Sequence, residues 1–229
     1  MDVLPSLLMF DLDGTLIDSR NDIGTAVNLT RADYGLPPLP METVSTFVGD
    51  GIRKLVERSL RGQTIDLDEA VQKCAAHYGA HLHDQTTLYP GVQEGLLKLH
   101  AAGIPIALIS NKPSAACRIL MHHFGLEPLL TLTLGAGDTE YLKPHPQPLL
   151  EALKKLDLPA SGAWMIGDHR TDLEAARHAH VRSGFVRYGI GQANPETPTV
   201  SFNSFGEIPD FFLHTERPGK TFPSAQVLP

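Results

Sequence analysis

The chain has 229 residues, of which 42% are hydrophobic and 20% charged, which is typical of a soluble globular protein with one large domain or one domain plus an insertion. Its 19 Lys and Arg residues against 26 Asp and Glu residues give a formal charge of −7, which argues against a general nucleic-acid binder. The two cysteines, Cys74 and Cys117, lie far apart, which argues against a disulfide scaffold or a zinc ribbon and fits a reducing cytosol.

The apolar stretch near the N-terminus is short, and it lacks the basic residues that begin a signal peptide. Further along, no segment reaches the ~18 consecutive apolar residues of a membrane span. We therefore expect a cytoplasmic protein with neither a membrane nor a nucleic acid as a partner.

The first predicted element is a strand at residues 7–10, because four apolar residues in a row (LLMF) are typical of a strand buried on both faces of a parallel sheet. Asp11 and Asp13 follow it directly, in the stretch LLMFDLDGTLIDS at residues 7–19. Carboxylates next to a buried strand cost free energy unless something pairs with them. The pair therefore indicates that other parts of the chain supply its partners.

Residues 19 to about 85 carry helical rather than strand patterns. One apolar stripe at helical spacing includes Ile52, Leu55 and Leu60, and a longer stripe runs from Leu67 to Leu82. We predict a small α-helical domain at residues 18–86, inserted after the first strand. The sequence Leu-Tyr-Pro-Gly at 88–91 marks the return to the main sheet.

The remaining pattern alternates between strands and helices. Apolar runs at 104–110 and 163–168 predict strands, and the spacing of apolar residues at 92–102 predicts a helix. This alternation predicts an α/β fold with a doubly wound parallel sheet, formed by residues 1–17 and 87–213. The polar, proline-bearing segment at 214–229 is predicted to be a loosely ordered terminus.

Polar residues follow the predicted strands, where ligands bind in such sheets. A cluster of aspartates at this edge needs a compensating charge, since like charges raise each other's pKa. A divalent cation and a lysine would supply that charge, and Mg²⁺ suits an all-oxygen site that also binds a phosphate. The residues concerned are Asp11, Asp13, Ser110, Asn111, Lys143, Asp168 and Asp172.

Phosphoryl-transfer chemistry gives these residues roles. One aspartate can attack phosphorus and form an aspartyl-phosphate, and its neighbour two residues on can protonate the leaving alcohol and then activate water. Ser110 and Asn111 can donate hydrogen bonds to phosphate oxygens, whose charge Lys143 neutralises. Asp168 completes the metal site, and Asp172 does not bind the metal itself but orients Lys143 or the metal-bound waters.

Four stretches in this order, DLDGTLIDS, ISNKP, LKPHPQPLL and GDHRTDLEAA, resemble the motifs of the haloacid dehalogenase (HAD) superfamily. YPGVQEGLLKLHAAG, SNKP and KPHPQPLLEAL are similar to its phosphoglycolate phosphatase-like subfamily in particular. The resemblance covers nearly the whole chain. It implies a HAD-like Rossmannoid core with a small helical cap inserted between the first two motifs.

The resemblance also implies which residue has which catalytic role. Asp11 matches the nucleophile and Asp13 the general acid/base, while Asp11, the backbone carbonyl of Asp13 and Asp168 match the ligands of Mg²⁺. Asp13 argues against a dehalogenase or a phosphonoacetaldehyde hydrolase, since these relatives lack an aspartate there. Thr15 weakly favours a phosphatase over a hexose-phosphate mutase.

Two histidines depart from the family pattern. His169 follows Asp168 where a small residue is usual, and we expect it to pack near the site or, as the alternative, to touch the phosphate or leaving group. His180 stands where a glycine commonly closes a helix.

Substrate choice is expected to lie in the inserted helices. Gly-Asp-Gly at 49–51 precedes a predicted helix, whose N-terminus favours anions, and Arg53 close by is a candidate substrate-binding residue. An inward-facing Asp50 would repel a substrate carboxylate. The alternative is that Arg53 lies on an exposed helix face and does not bind the substrate.

We expect a Mg²⁺-dependent phosphatase that hydrolyses a small phosphorylated metabolite through an aspartyl-phosphate, with 2-phosphoglycolate as the leading candidate. The alternatives are a phosphatase for a sugar phosphate or a nucleotide, a phosphomutase, and a catalytically retired binding protein. No sequence feature indicates an oligomeric state.

Overall fold

A computed structural model describes residues 4–213. Its strands are β1 (Leu7–Phe10), β2 (Ile17–Asp18), β3 (Thr87–Leu88), β4 (Ile106–Pro113), β5 (Leu132–Ala136), β6 (Ala163–Gly167), β7 (Arg182–Val186) and β8 (Val200–Phe202). Six of them form one sheet in the order β5-β4-β1-β6-β7-β8, and every neighbouring pair in it is parallel. Because β1 lies between β4 and β6, the residues that follow it lie at the middle of the sheet's carboxyl edge.

Helices cover both faces of this sheet. They are α1 (Arg20–Asp33), α2 (Met41–Ser45), α3 (Ile52–Ser59), α4 (Leu67–Ala80), α5 (Val92–Ala101), α6 (Ser114–His123), α7 (Gln147–Leu156), α8 (Arg170–His178) and α9 (Glu207–Leu213), with a short 3₁₀ helix at Glu127–Leu129. Leu8 and Phe10 face a core shared with α5, α6 and α9, whereas Leu7 and Met9 face a core shared with α7 and α8. This confirms the doubly wound α/β fold.

Strand β1 is buried on both faces of the sheet. All four side chains from Leu7 to Phe10 are fully buried, two on each face of the sheet. Burying a large apolar side chain contributes about 1.5–3 kcal/mol. An uninterrupted apolar run is therefore what a central parallel strand requires.

Residues 19–85, all of which the structure describes, form the helices α1 to α4 and contain no strand. We call these four helices and their connecting loops the helical insert. Helices α1 and α3 each pack against α4, and their buried side chains belong to the core on the α5 face of the sheet. The insert is therefore attached to the side of the fold that carries α5 and α6.

The two chain segments that lead into and out of the helical insert pair with each other, which the sequence did not predict. Ile17 of β2 lies opposite Leu88 of β3 in an antiparallel ladder. Nearby, the buried Asp22 carboxylate accepts hydrogen bonds from the backbone N–H groups of Gln85 and Thr86 at 2.8–3.1 Å. These bonds hold the entry and exit of the insert side by side.

Two further predictions concern the ends of elements. His180 follows α8 with φ +55°, so it occupies a left-handed position of the kind that glycine usually fills. The predicted loose terminus at 214–229 lies outside the described residues. Within those residues, no helix combines the length and the apolar character needed to cross a bilayer.

Candidate active site

Three buried charged side chains meet where β1 ends. The Nζ of Lys143 lies 3.0 Å from Oδ1 of Asp11 and 2.6 Å from Oδ1 of Asp172, and it also donates to the carbonyl oxygen of Ile109. The lysine side chain is 1% exposed, so its charge is directed at these carboxylates rather than at solvent. Among residues 4–213, Oδ1 of Asp11 has no aligned hydrogen-bond donor, so its contact with Lys143 is an ion pair.

Asp168 stands beside Asp11 because β6 is the neighbour of β1. Its Oδ2 accepts hydrogen bonds from the backbone N–H groups of Ile190 and Gly191 at 2.8 Å each, and its Oδ1 accepts one from the hydroxyl of Thr15 at 3.1 Å. Gly14 packs against this carboxylate with φ +84°, and a Cβ there would lie 2.1 Å from Oδ2 of Asp168. The glycine therefore provides both a sharp turn and the space for Asp168.

Asp13 is held by two donors. The Nζ of Lys112 lies 2.6 and 2.7 Å from its two carboxylate oxygens, and the hydroxyl of Ser19 donates to Oδ1 at 2.5 Å. We did not single out Lys112, although it lies within the ISNKP stretch whose serine and asparagine we did name. Its position two residues after Ser110 on a strand was the available signal, since such residues share a face.

Burial makes the aspartates difficult to ionise. The pKa of Asp11 is raised to about 6, mainly by burial. Lys143 opposes this rise, and the charges of Asp172 and Asp13 contribute to it. Burial also raises the pKa of Asp168 to about 7, helped by the charges of Asp11 and Asp172. Burial alone would lower the pKa of Lys143, but Asp11 and Asp172 outweigh it and raise that pKa. The cluster therefore lacks positive charge, as a cation site should.

The donor set fits a hard divalent cation. Asp11, Asp168 and Asp172 each offer a carboxylate oxygen, and these oxygens lie within 4.8 Å of one another. Asp172, however, already uses Oδ1 for Lys143 and Oδ2 for the backbone N–H of His169. Asp172 therefore fits the orienting role that we predicted for it, because one of its oxygens holds the Lys143 ammonium that also pairs with Asp11. Oxygen ligands of this kind suit Mg²⁺.

Ser110 and Asn111 both line the cavity above these carboxylates, but the side chain of Asn111 is already engaged. Its amide nitrogen donates to the carbonyl oxygens of Gly49 and Lys143 at 3.0 and 2.7 Å, and its Oδ1 accepts from the N–H of Lys143 at 2.9 Å. We expected this amide to donate to phosphate. The structure instead gives it the task of positioning Lys143 and the loop that carries Gly49.

The structure does not bring Arg53 to the site. Its guanidinium pairs with Asp68, and its side chain is 60% exposed on the outer face of α3. Helical periodicity explains this placement, because Ile52 and Leu55 of the same helix face the cavity. Asp50 is also turned away from the cavity: its carboxylate pairs with Arg58 at 2.5 Å and with Arg170 of α8 at 3.0 Å.

His169 caps α8 and lines the cavity. Its Nδ1 accepts from the N–H of Thr171 at 3.3 Å, and burial lowers its pKa. Gly49 packs on the imidazole so closely that a Cβ would lie 2.9 Å from the ring. His169 is therefore a packing and capping residue at the contact between the helical insert and the sheet.

The sequence matches a known protein family and several of its members. The family model for haloacid dehalogenase-like hydrolases matches residues 8–186. The phosphoglycolate phosphatase of Colwellia psychrerythraea is 38% identical over 213 residues, which cover 88% of this chain and 94% of that protein. The phosphoglycolate phosphatase of Psychrobacter arcticus is 36% identical over 222 residues, which cover 90% of this chain and 95% of that protein.

A solved structure of similar shape gives the same result. The crystal structure of a predicted phosphoglycolate phosphatase from Haemophilus somnus superposes with a TM-score of 0.86 at 27% sequence identity. The superposition covers 92% of this chain and 99% of that one. The similarity therefore includes the helical insert as well as the sheet.

Proposed function

Since the chain belongs to the haloacid dehalogenase-like hydrolases, we propose that it is a Mg²⁺-dependent phosphatase that hydrolyses a small phosphate monoester, with 2-phosphoglycolate as the leading substrate candidate. The protein is a phosphoric monoester hydrolase by its fold and by relatives named phosphoglycolate phosphatase. The observation that carries the proposal is the buried ion pair of Asp11 with Lys143 beside Asp168, at the carboxyl edge of the sheet.

In this proposal Asp11 is the nucleophile. Its carboxylate attacks the phosphorus atom, the ester bond breaks, and an aspartyl-phosphate results. Lys143 supports this role, since its Nζ at 3.0 Å fixes the carboxylate and places a positive charge where phosphate oxygens gather. Asp172, at 2.6 Å from that Nζ, keeps the lysine in position.

Asp13 is the proposed general acid and base. As an acid it gives a proton to the ester oxygen of the departing alcohol, and as a base it then takes a proton from the water that hydrolyses the aspartyl-phosphate. Two observations support this role: Asp13 follows Asp11 at a spacing of two residues, and it lines the same cavity. Ser110, on the next strand, is placed to donate to a phosphate oxygen.

Asp11, the backbone carbonyl of Asp13, and Asp168 are the proposed ligands of Mg²⁺. When bound, the ion neutralises carboxylate and phosphate charge. The contacts of Asp168 with Ile190, Gly191 and Thr15 then hold one ligand in a fixed orientation.

The effect of Mg²⁺ on stability is expected to depend on pH. Without metal, the folded-state pKa values of about 6 for Asp11 and about 7 for Asp168 lie above the value of 3.8 for an unperturbed carboxyl. The folded state therefore binds these protons more tightly than the unfolded chain does, and the stability they give falls as the pH rises toward 7. Mg²⁺ requires ionised carboxylates, so it competes with these protons.

We accordingly expect saturating Mg²⁺ to raise the Tm by about 5 °C or more at about pH 8 and by much less at about pH 5.5. Thermal melts with Mg²⁺ and with EDTA at both pH values measure the difference. An equal rise at both pH values would contradict the proposed ligand set.

We further propose that residues 18–86 act as a cap over a catalytic core of residues 1–17 and 87–213. The paired segments β2 and β3 at the two crossings support this division, as does the contact of Asp50 with Arg170 across it. The side of the cap that faces the cavity carries Ile23, Val48 and Leu55. These side chains offer no hydrogen-bond partner to the hydroxyl groups of a sugar, which supports a substrate with a smaller organic part.

A substrate panel tests the proposed function. The purified protein is incubated with 2-phosphoglycolate, sugar phosphates and nucleotides, with Mg²⁺ or with EDTA, and released phosphate is measured. We expect release that requires Mg²⁺, with the highest kcat/KM for 2-phosphoglycolate. An isomerised sugar phosphate with little free phosphate would indicate a mutase, and no release from any ester would refute the proposal.

A further inference from the structure

The cavity has a cationic corner that the proposed phosphate site does not use. Lys143 pairs with Asp11, the proposed nucleophile, whereas Lys112 pairs with Asp13. Among the described residues that line the cavity, Lys112 is the one lysine or arginine. Its side chain is 3% exposed, so its charge is directed into the site rather than into bulk solvent.

The ammonium group of Lys112 has one proton that Asp13 does not use. An ammonium group carries three protons. Two of them account for the contacts of 2.6 and 2.7 Å with the oxygens of Asp13. The Nζ also lies 4.5 Å from the centre of the Tyr78 ring, so the third proton is directed toward Tyr78.

Tyr78 supplies a second donor at the same corner. The wall that the cap contributes to the cavity is apolar, and within the described chain Tyr78 is its one side chain with an oxygen or a nitrogen atom. Tyr78 is 7% exposed, and its buried hydroxyl has no hydrogen-bond partner among the described residues. A buried hydroxyl without a partner is costly, which an acceptor on the substrate would relieve.

We propose that Lys112 and Tyr78 form the binding site for a carboxylate on the leaving group. The inference rests on the proposed function and identifies the residues that choose the substrate. As the acid, Asp13 must touch the ester oxygen, and Lys112 touches Asp13. In 2-phosphoglycolate one methylene group separates that oxygen from the carboxylate, so the carboxylate falls beside the Lys112 ammonium and the Tyr78 hydroxyl.

This site selects phosphate esters of 2-hydroxy acids. A carboxylate accepts a hydrogen bond from the Tyr78 hydroxyl and pairs with the Lys112 charge, whereas an alkyl group in the same place leaves that buried hydroxyl without an acceptor. Sites built to hydrogen-bond a substrate group reject the analogue that lacks it far more strongly than apolar sites reject a change of size.

The test compares 2-phosphoglycolate with ethyl phosphate, which keeps the phosphate and the methylene but has no carboxylate. For each protein the ratio of the two kcat/KM values is measured. Lys112→Met is expected to lower this ratio by about 10- to 100-fold and Tyr78→Phe by several-fold, because each variant loses a hydrogen bond to a charged group. Tyr78→Phe keeps the ring, so it tests the site even where Lys112→Met fails to fold.

The chain offers a matched pair of control variants outside the cavity. The Nζ of Lys73 lies 4.5 Å from the centre of the Tyr34 ring, and the Tyr34 hydroxyl is also buried without a hydrogen-bond partner among the described residues. Lys73→Met and Tyr34→Phe therefore repeat the same two changes away from the site. Both are expected to leave the ratio unchanged.

Equal losses for the two esters in Lys112→Met and Tyr78→Phe would overturn the inference, since Lys112 would then act through Asp13 alone. Failure of the proposed function has a different signature: the wild-type protein would release phosphate from neither ester.

Discussion

Asp11→Asn is expected to remove phosphatase activity, lowering kcat by about 10⁴-fold or more, because an amide cannot attack phosphorus in place of a carboxylate. The fold is expected to persist. Since burial raises the pKa of Asp11 to about 6, its ionisation opposes folding at higher pH, and a neutral side chain of the same shape relieves that cost. Phosphate release and thermal melts without Mg²⁺ measure the two effects, and the Tm should match or exceed the wild-type value.

A matched control is Asp33→Asn, at an exposed carboxylate that pairs with His77 in the cap at 2.8 Å. It makes the same chemical change away from the site and should retain full activity. If Asp11→Asn kept more than about a hundredth of the wild-type kcat, Asp11 would not be the nucleophile.

Lys143→Met is expected to be the most destabilising of the proposed substitutions. It leaves Asp11 and Asp172 buried without their cation, and the loss of one partner of a buried ion pair costs about 3–5 kcal/mol. For a chain of this length the Tm should fall by about 10 °C. Urea denaturation of the wild type and the variant, both in EDTA, measures the free energy directly.

Two further variants separate the charge effect from packing. Lys143→Met combined with Asp172→Asn removes one of the stranded carboxylates, so it should recover part of the lost stability while remaining inactive. Lys155→Met breaks an exposed ion pair with Glu151 and should cost less than about 1 kcal/mol. A double variant no more stable than Lys143→Met alone would contradict the account of the buried charges.

Much of the fold could be predicted because central parallel strands are buried on both faces. The run at residues 7–10 and the runs that became β4 and β6 are continuous and apolar for this reason. Strand β7, which lies between β6 and β8, contains Arg182 and Gly184, and β2 and β3 have two residues each, so none of them has a recognisable period. These strands are specified by their neighbours rather than by their own sequence.

The candidate site was predictable to the extent that strand ends determine it. Asp11, Asp168 and Lys143 meet as expected, because β1 and β6 are adjacent and the loop after β5 crosses the same edge. The task of Asn111 depends on Gly49, a contact between residues 62 positions apart that no local pattern contains. The misplacement of Arg53 was avoidable, since the apolar stripe of its own helix puts it on the outer face.

The most direct test of the account asks whether the aspartyl-phosphate forms on Asp11. Asp13→Asn is mixed with p-nitrophenyl phosphate and Mg²⁺, because this leaving group needs no acid and the missing base slows hydrolysis of the intermediate. Borohydride then reduces the acyl phosphate to homoserine, and mass spectrometry locates the change. We expect homoserine at position 11, dependent on substrate and on Mg²⁺. Phosphate release by the wild type with no modification at position 11, or with modification at another aspartate, would contradict the central claim.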